Sequence, residues 1–174
     1  VGLIVQAILF SACAYQPAPA VDETGIALTA CVLKSPGIER QVDARCGSVT
    51  VSEDPSDPAS RQIELRIAVV EAISRSPEPD PLFVLVGGPG QSAIETYPAI
   101  SSTLFRIHEK RDIVLVDQRG TGASNPLRCL NPEEEIAEDD EFTARLKECP
   151  KKLEADLRFY TTDMDAMNRL DVEP

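Results

Sequence analysis

A chain of 174 residues, 43% hydrophobic and 26% charged, carries enough apolar material for one folded domain. Its 29 acidic and 17 basic residues leave a formal charge of −12, with no basic stripe to displace counterions from phosphate, which argues against a nucleic-acid partner. The acidic bias serves solubility and would also favour cationic substrates such as peptides with a free amino terminus.

Residues 1–12 are nearly all apolar and run into Phe10-Ser11-Ala12-Cys13, the pattern of an export signal, too short to span a bilayer. Small residues directly before a cysteine resemble a bacterial lipoprotein signal, which makes Cys13 a candidate for lipidation and membrane anchoring, although Phe10 stands where leucine is usual. The expected destination is the cell envelope or the outside of the cell; a buried amino-terminal helix or strand is the competing reading. Neither Met nor a basic stretch precedes Val1, so the sequence is expected to start inside a longer one. Residues 15–24, with Pro17, Pro19 and small side chains, read as a tether. The expected division is a signal over 1–13, a linker over 14–30 and a folded domain over 31–174.

With Cys13 set aside, Cys31, Cys46, Cys129 and Cys149 form an even set in a chain that reads as exported, which points to disulfides. Three pairings are possible. Locality favours Cys31 with Cys46 and Cys129 with Cys149, the second closing a loop worth about 3 kcal/mol in the chain-entropy picture. A metal site is disfavoured, because no Cys-x-x-Cys occurs and the sole histidine, His108, is remote in sequence. No cofactor is expected.

From Cys46 the pattern becomes strand-like: residues 47–52 alternate, Asp54-Pro55-Ser56-Asp57-Pro58 is a turn cluster, and residues 62–70 alternate again with Ile63, Leu65, Ile67 and Val69 on one face. These make an antiparallel hairpin at the entrance of a sheet. Pro77, Pro79 and Pro81 then carry the chain, extended, into Leu82-Phe83-Val84-Leu85-Val86, an apolar run stopped by Gly87-Gly88-Pro89-Gly90. Such a run reads as a strand covered on both faces. Ile94, Tyr97, Ile100, Leu104, Phe105 and Ile107 recur at helical spacing, with Pro98 marking a kink or late start. The strand grammar returns in Ile113-Val114-Leu115-Val116 and again meets a glycine turn, Asp117-Gln118-Arg119-Gly120-Thr121-Gly122-Ala123-Ser124. Strand, glycine turn, helix and strand form a parallel βαβ crossover, and chemistry in open α/β sheets sits at the carboxyl ends of such strands.

Gly87 and Gly88 let a bare N–H approach a substrate atom, and Pro89 stiffens the bend. Exposed N–H groups at a helix start suit a phosphate or an oxyanion. The phosphate reading lacks both Gly-x-x-x-x-Gly-Lys-Ser/Thr and Gly-x-Gly-x-x-Gly, whereas serine hydrolases of α/β type build half of their oxyanion hole from such a loop.

Gly87-Gly88-Pro89-Gly90 followed by the Asp117 to Ser124 motif resembles the proline iminopeptidase and tripeptidyl aminopeptidase branch of the α/β-hydrolases, over residues 46–170. Many members of that branch have His before the two glycines, where this chain has Val86. The resemblance implies the amino-terminal portion of an α/β-hydrolase fold: an antiparallel hairpin, then parallel strands with a crossover helix. It implies a peptide substrate, an oxyanion donor at the Gly88 N–H, and shaping of the loop by Gly87, Pro89 and Gly90. Asp117 and Arg119 are expected to hydrogen-bond the Gly120 to Ser124 turn and support the oxyanion loop from behind. Ser92 reads as a helix-start residue and Ser124 as a turn residue, since neither lies in Gly-x-Ser-x-Gly. His108 reads as a helix-end residue favoured by the dipole, not a base, because in this fold the base follows the nucleophile in chain order.

Asn131-Pro132-Glu133-Glu134-Glu135 has the cap, proline and acids of a helix start, residues 151–160 read as a second helical piece, and residues 161–170 resemble the helix that precedes the nucleophile strand in the family. No Gly-x-Ser-x-Gly occurs, so nucleophile, acid and base are missing. The expectation is therefore an inactive piece of a longer exported serine aminopeptidase, the fold lying near single-domain sizes of roughly 250 residues. The alternatives are another hydrolase of the fold, such as an esterase, and a non-catalytic exported binding module.

Overall fold

A computed structural model describes residues 20–21, 26–88, 90–128, 144 and 147–161. Six strands among them form one sheet: β1 (Ala20–Val21), β2 (Ala27–Ser35), β3 (Ile38–Ser52), β4 (Gln62–Val70), β5 (Leu82–Val84) and β6 (Ile113–Val116). Their order is β1-β2-β3-β4-β6-β5. All neighbours are antiparallel except β5 and β6, which pair in parallel with Phe83 opposite Val114. The mixed sheet is that of a partial α/β domain.

The β3–β4 pair is the expected hairpin, in register from Arg45 opposite Val69 to Ser52 opposite Gln62. Its loop is closed from within: Asp54 accepts from Ser56 N–H at 2.8 Å, and Asp57 accepts from Ala59 N–H at 2.9 Å. These are the local side-chain bonds for which aspartate is favoured in turns.

The first hairpin was not expected. β2 begins at Ala27, inside the stretch read as linker, and β3 starts at Ile38, well before Gly47. The two strands meet at a Pro36-Gly37 turn with Gly37 at φ +73°, the proline and glycine order of a type II turn. Only Leu28 and Leu33 are buried along β2, so its apolar spacing lacks the period of two that marks a half-buried strand. Cys31 and Cys46 are joined in a disulfide across this hairpin. Cys149 is buried and also disulfide-bonded, while Cys129 lies outside the described residues.

The crossover carries two helical pieces, α1 (Ala93–Ile100) and α2 (Phe105–His108), where a single kinked or late-starting helix was expected. Pro98 lies inside α1 and cannot donate to Ile94. Directly after Ile100 the bonding tightens: Ser101 Oγ donates to Pro98 O at 3.0 Å, Thr103 N to Ile100 O, and Leu104 N to Ser101 O. Phe105 and Ile107, the last two of the residues at helical spacing, are exposed.

Tyr97 of α1 packs on one sheet face with Leu33, Ala44, Ala68, Val70, Val84, Ile113 and Leu115. The opposite face gathers Ile67 and Val116 with the half-buried Val49, Val69, Phe83 and Val114. The period of two in β4 and β6 thus feeds both faces. Residues 151–160 do not form the expected helix; two short 3-10 turns, Cys149–Lys151 and Leu157–Phe159, stand there. Before the second, the Asp156 carboxylate takes the Arg158 N–H that a continuous helix would use. The helices expected from Asn131 and over 162–170, the signal segment with Cys13, and Pro89 lie outside the described residues.

Candidate functional site

Where β5 ends, the chain leaves the sheet through Leu85, Val86 and Gly87 and bends at Gly88, whose φ of +97° is a conformation that side chains disfavour. Gln91 N–H donates to Gly88 O at 3.2 Å and closes the bend. Ser92 then caps α1, its Oγ accepting from Glu95 N–H at 3.0 Å. Gly87 and Gly88 are exposed, and no described residue accepts from either N–H. The donor that the oxyanion reading requires is therefore not consumed by a described partner.

Where β6 ends, Asp117 lies 2% exposed between the two glycine turns. Its Oδ1 accepts from Ser92 Oγ at 2.7 Å and from Ile94 N–H at 3.1 Å; its Oδ2 accepts from Ala123 N–H at 3.4 Å. Gly122, at φ +51°, is pressed against this carboxylate: a Cβ there would stand 2.0 Å from Asp117 Oδ2. One buried carboxylate thus joins the start of α1 to the turn after β6. Asp117 thereby touches the Gly120 to Ser124 turn through Ala123 and the capping end of the helix as well.

Arg119 lies in the same turn and is 4% exposed. Its guanidinium reaches the end of β3, with Nη1 donating to Glu53 O at 2.6 Å and Nη2 to Ser52 O at 3.0 Å. A five-donor group satisfies carbonyls there as the strand pair opens into its loop. The turn itself is held by main-chain bonds, Gly120 N to Ser124 O and Ser124 N to Thr121 O, each 2.8 Å. Ser124 is fully buried, its Oγ accepting from Arg66 N–H at 2.8 Å. Ser92 and Ser124 are thus a cap and a turn residue in the structure, each with its hydroxyl engaged. His108 sits at the opposite end of the sheet, its Nε2 2.8 Å from Glu71 O. That end is defined by Val70 pairing with Ile113, the first residue of β6.

Sequence reasoning missed Glu53. It is 7% exposed and accepts from Arg61 Nη2 at 2.7 Å, Arg61 Nε at 3.2 Å, Asp156 N–H at 3.0 Å and Tyr160 OH at 3.0 Å. Burial pushes its carboxyl up, but the Arg61, Asp156 and Tyr160 donors outweigh burial and hold it below the usual range. Burial and the Glu53 carboxylate together raise the Tyr160 phenol. No sequence motif marks this residue, whose partners lie up to 107 positions away.

Among the described residues no group of three or more His, Cys, Asp or Glu could hold a metal ion, and no helix is long and apolar enough to cross a membrane.

A mixed sheet with a braced, bare-amide loop after its parallel strand is that of a partial α/β domain. No family model matches the chain. It is similar to the tripeptidyl aminopeptidase of Streptomyces lividans, 34% identical over 95 residues, 52% of this chain and 18% of that protein. It is also similar to the serine protease Hip1 of Mycobacterium tuberculosis, 30% identical over 117 residues, 67% of this chain and 22% of that protein. Carboxylesterase B of the same species is 38% identical over 91 residues, 49% of this chain and 17% of its own length. The matched region spans about a fifth of these relatives, all of them named as hydrolases or serine peptidases.

Proposed function

We propose that this chain is the amino-terminal part of an exported serine-type aminopeptidase that cleaves peptides from their amino termini, with the Gly88 N–H as one oxyanion donor. The single observation that carries the reading is the exposed Gly88 amide, free of described acceptors, on a loop whose neighbouring helix start is fixed by buried Asp117. Donors held in place before charge develops need no reorganisation during the reaction, which is where oxyanion sites gain their effect. Gly87, Pro89 and Gly90 shape the bend, and the nucleophile, acid and base would come from polypeptide beyond this sequence. The chain by itself is inactive on this reading, and Cys13 anchors the exported protein through a lipid.

The test uses the complete polypeptide from its natural source. It should hydrolyse a tripeptidyl anilide with a free amino terminus and spare the acetylated analogue. Gly88→Ala keeps the N–H but puts a Cβ 3.0 Å from the Gln91 side chain in a bend at φ +97°. It should therefore displace the donor and lower kcat, by up to the about hundredfold that loss of one such donor produces, with KM little changed. The similarity to a carboxylesterase favours a second reading. Turnover of a short-chain ester with no turnover of the anilide would select that esterase, and turnover of neither would select a non-catalytic module.

A further inference from the structure

The aminopeptidase reading assigns no role to the Glu53 cluster, which is the most heavily bonded buried charge among the described residues. Four donors converge on its carboxylate, from the 53–61 loop and from the 156–160 segment. Its own carbonyl takes Arg119 Nη1, from inside the turn after β6. Tyr160, held by Glu53, in turn accepts from Asn125 Nδ2 at 2.5 Å and packs against Gly120, where an added Cβ would meet the Tyr160 ring at 3.2 Å. Asn125 is the one described non-glycine residue with positive φ, +48°, a conformation that needs support from its surroundings.

The turn over residues 117–125 is therefore gripped from two sides. From the inside, Asp117 ties it to Ser92 and Ile94; from the outside, the Glu53 carboxylate ties it through Tyr160 and Asn125, while the Glu53 main-chain carbonyl separately takes Arg119. We propose that Glu53 is a positioning residue for the oxyanion loop: it locks the outer side of the turn so that Asp117 can hold the start of α1, and with it the Gly88 bend, in one geometry. This rests on the reading of Gly88 as an oxyanion donor. Glu53 acts through other residues and touches no reacting atom. A carboxylate suits the task because it accepts from several donors at once, and charged acceptors make the stronger hydrogen bonds. An amide in its place keeps the shape but loses charge and turns one acceptor into a donor facing donors.

The experiment compares the wild-type complete polypeptide with Glu53→Gln and, as a smaller perturbation that removes only the Tyr160 hydroxyl, Tyr160→Phe. Hydrogen exchange and hydrolysis of the tripeptidyl anilide are both measured. In both variants, amides over 117–125 and 92–95 should exchange about tenfold faster, as expected when one charge-assisted link is lost, while those of β4 keep their protection. kcat should fall about tenfold with KM within about twofold, the pattern of a weakened transition-state interaction. Faster exchange confined to 53–61 and 156–160, with 92–95 and kcat unchanged, would make Glu53 a local staple and overturn the proposal. A wild-type protein that hydrolyses nothing refutes the aminopeptidase reading instead, and exchange at 92–95 still decides whether Glu53 governs that loop.

Discussion

At the scale of single residues, the site is organised by carboxylates used as acceptors. Asp117 satisfies one hydroxyl and two main-chain N–H groups in a place with almost no water. Asp117→Ala should destabilise the fold by about 3 kcal/mol, since it strands buried donors. Asp117→Asn should cost less on the helix side, where its amide oxygen can still accept from Ser92 and Ile94, but its NH2 would confront Ala123 N–H. Urea denaturation of the three proteins measures the order. Glu53 makes a pH prediction whose sign follows from its lowered carboxyl in the folded state, against a usual value of 4.5. A depressed folded value contributes stability that is present above the unfolded value and lost as pH falls through the folded one. The difference in melting temperature between wild type and Glu53→Gln should therefore be full at neutral pH and shrink below about pH 4.5. A gap that widens on acidification would contradict the assigned charge state.

At the scale of elements, legibility tracked how local each signal is. The β6 run and its glycine stop could be read, because a strand covered on both faces is apolar without interruption and its turn needs glycine; the β5 run was read too long, since the strand ends at Val84 and Leu85 stands exposed. The β2–β3 hairpin could not, because its buried positions, Leu28, Leu33 and Ala44, follow no alternation and apolar Val32 and Ile38 stand exposed among its outer positions. The break between α1 and α2 was half legible: Pro98 announced a disturbance, but the bonds that exploit it run from Ser101 and Leu104, after the proline. The Cys31–Cys46 bond is what holds the less patterned hairpin. Its sequence separation of 15 corresponds to about 3 kcal/mol of loop entropy removed from the unfolded chain. Cys31→Ala with Cys46→Ala should accordingly lower stability by about that amount in chemical denaturation. The double substitution isolates this bond, whereas a reductant would also act on Cys149.

At the scale of the whole molecule, the distribution of chemistry decides whether this chain can act alone. The expected roles of Ser92 and Asp117 were readable as types, cap and brace, but their meeting was not, since it joins the ends of two strands across 25 positions. The Glu53 contacts were out of reach for the same reason, spanning more than a hundred positions. Once those contacts are in place, the two serines nearest the bare amides have no freedom to attack. Ser92 Oγ donates a hydrogen bond to Asp117 and accepts one from Glu95 N–H, and the buried Ser124 Oγ accepts from Arg66 N–H. Asp117 lies within reach of the Ser92 proton, but its carboxylate is already shared with the Ile94 and Ala123 N–H groups, and the base that ordinarily activates a serine is an imidazole. The single histidine lies at the far end of the sheet, engaged with the Glu71 carbonyl. The 174-residue chain should therefore remain unlabelled by a fluorophosphonate probe under conditions that label a serine hydrolase to completion, read by intact mass. Covalent adduct mapped to Ser92 or Ser124 would mean that one of these hydroxyls leaves its partners readily. The division between a braced oxyanion loop here and a nucleophile elsewhere would then fall.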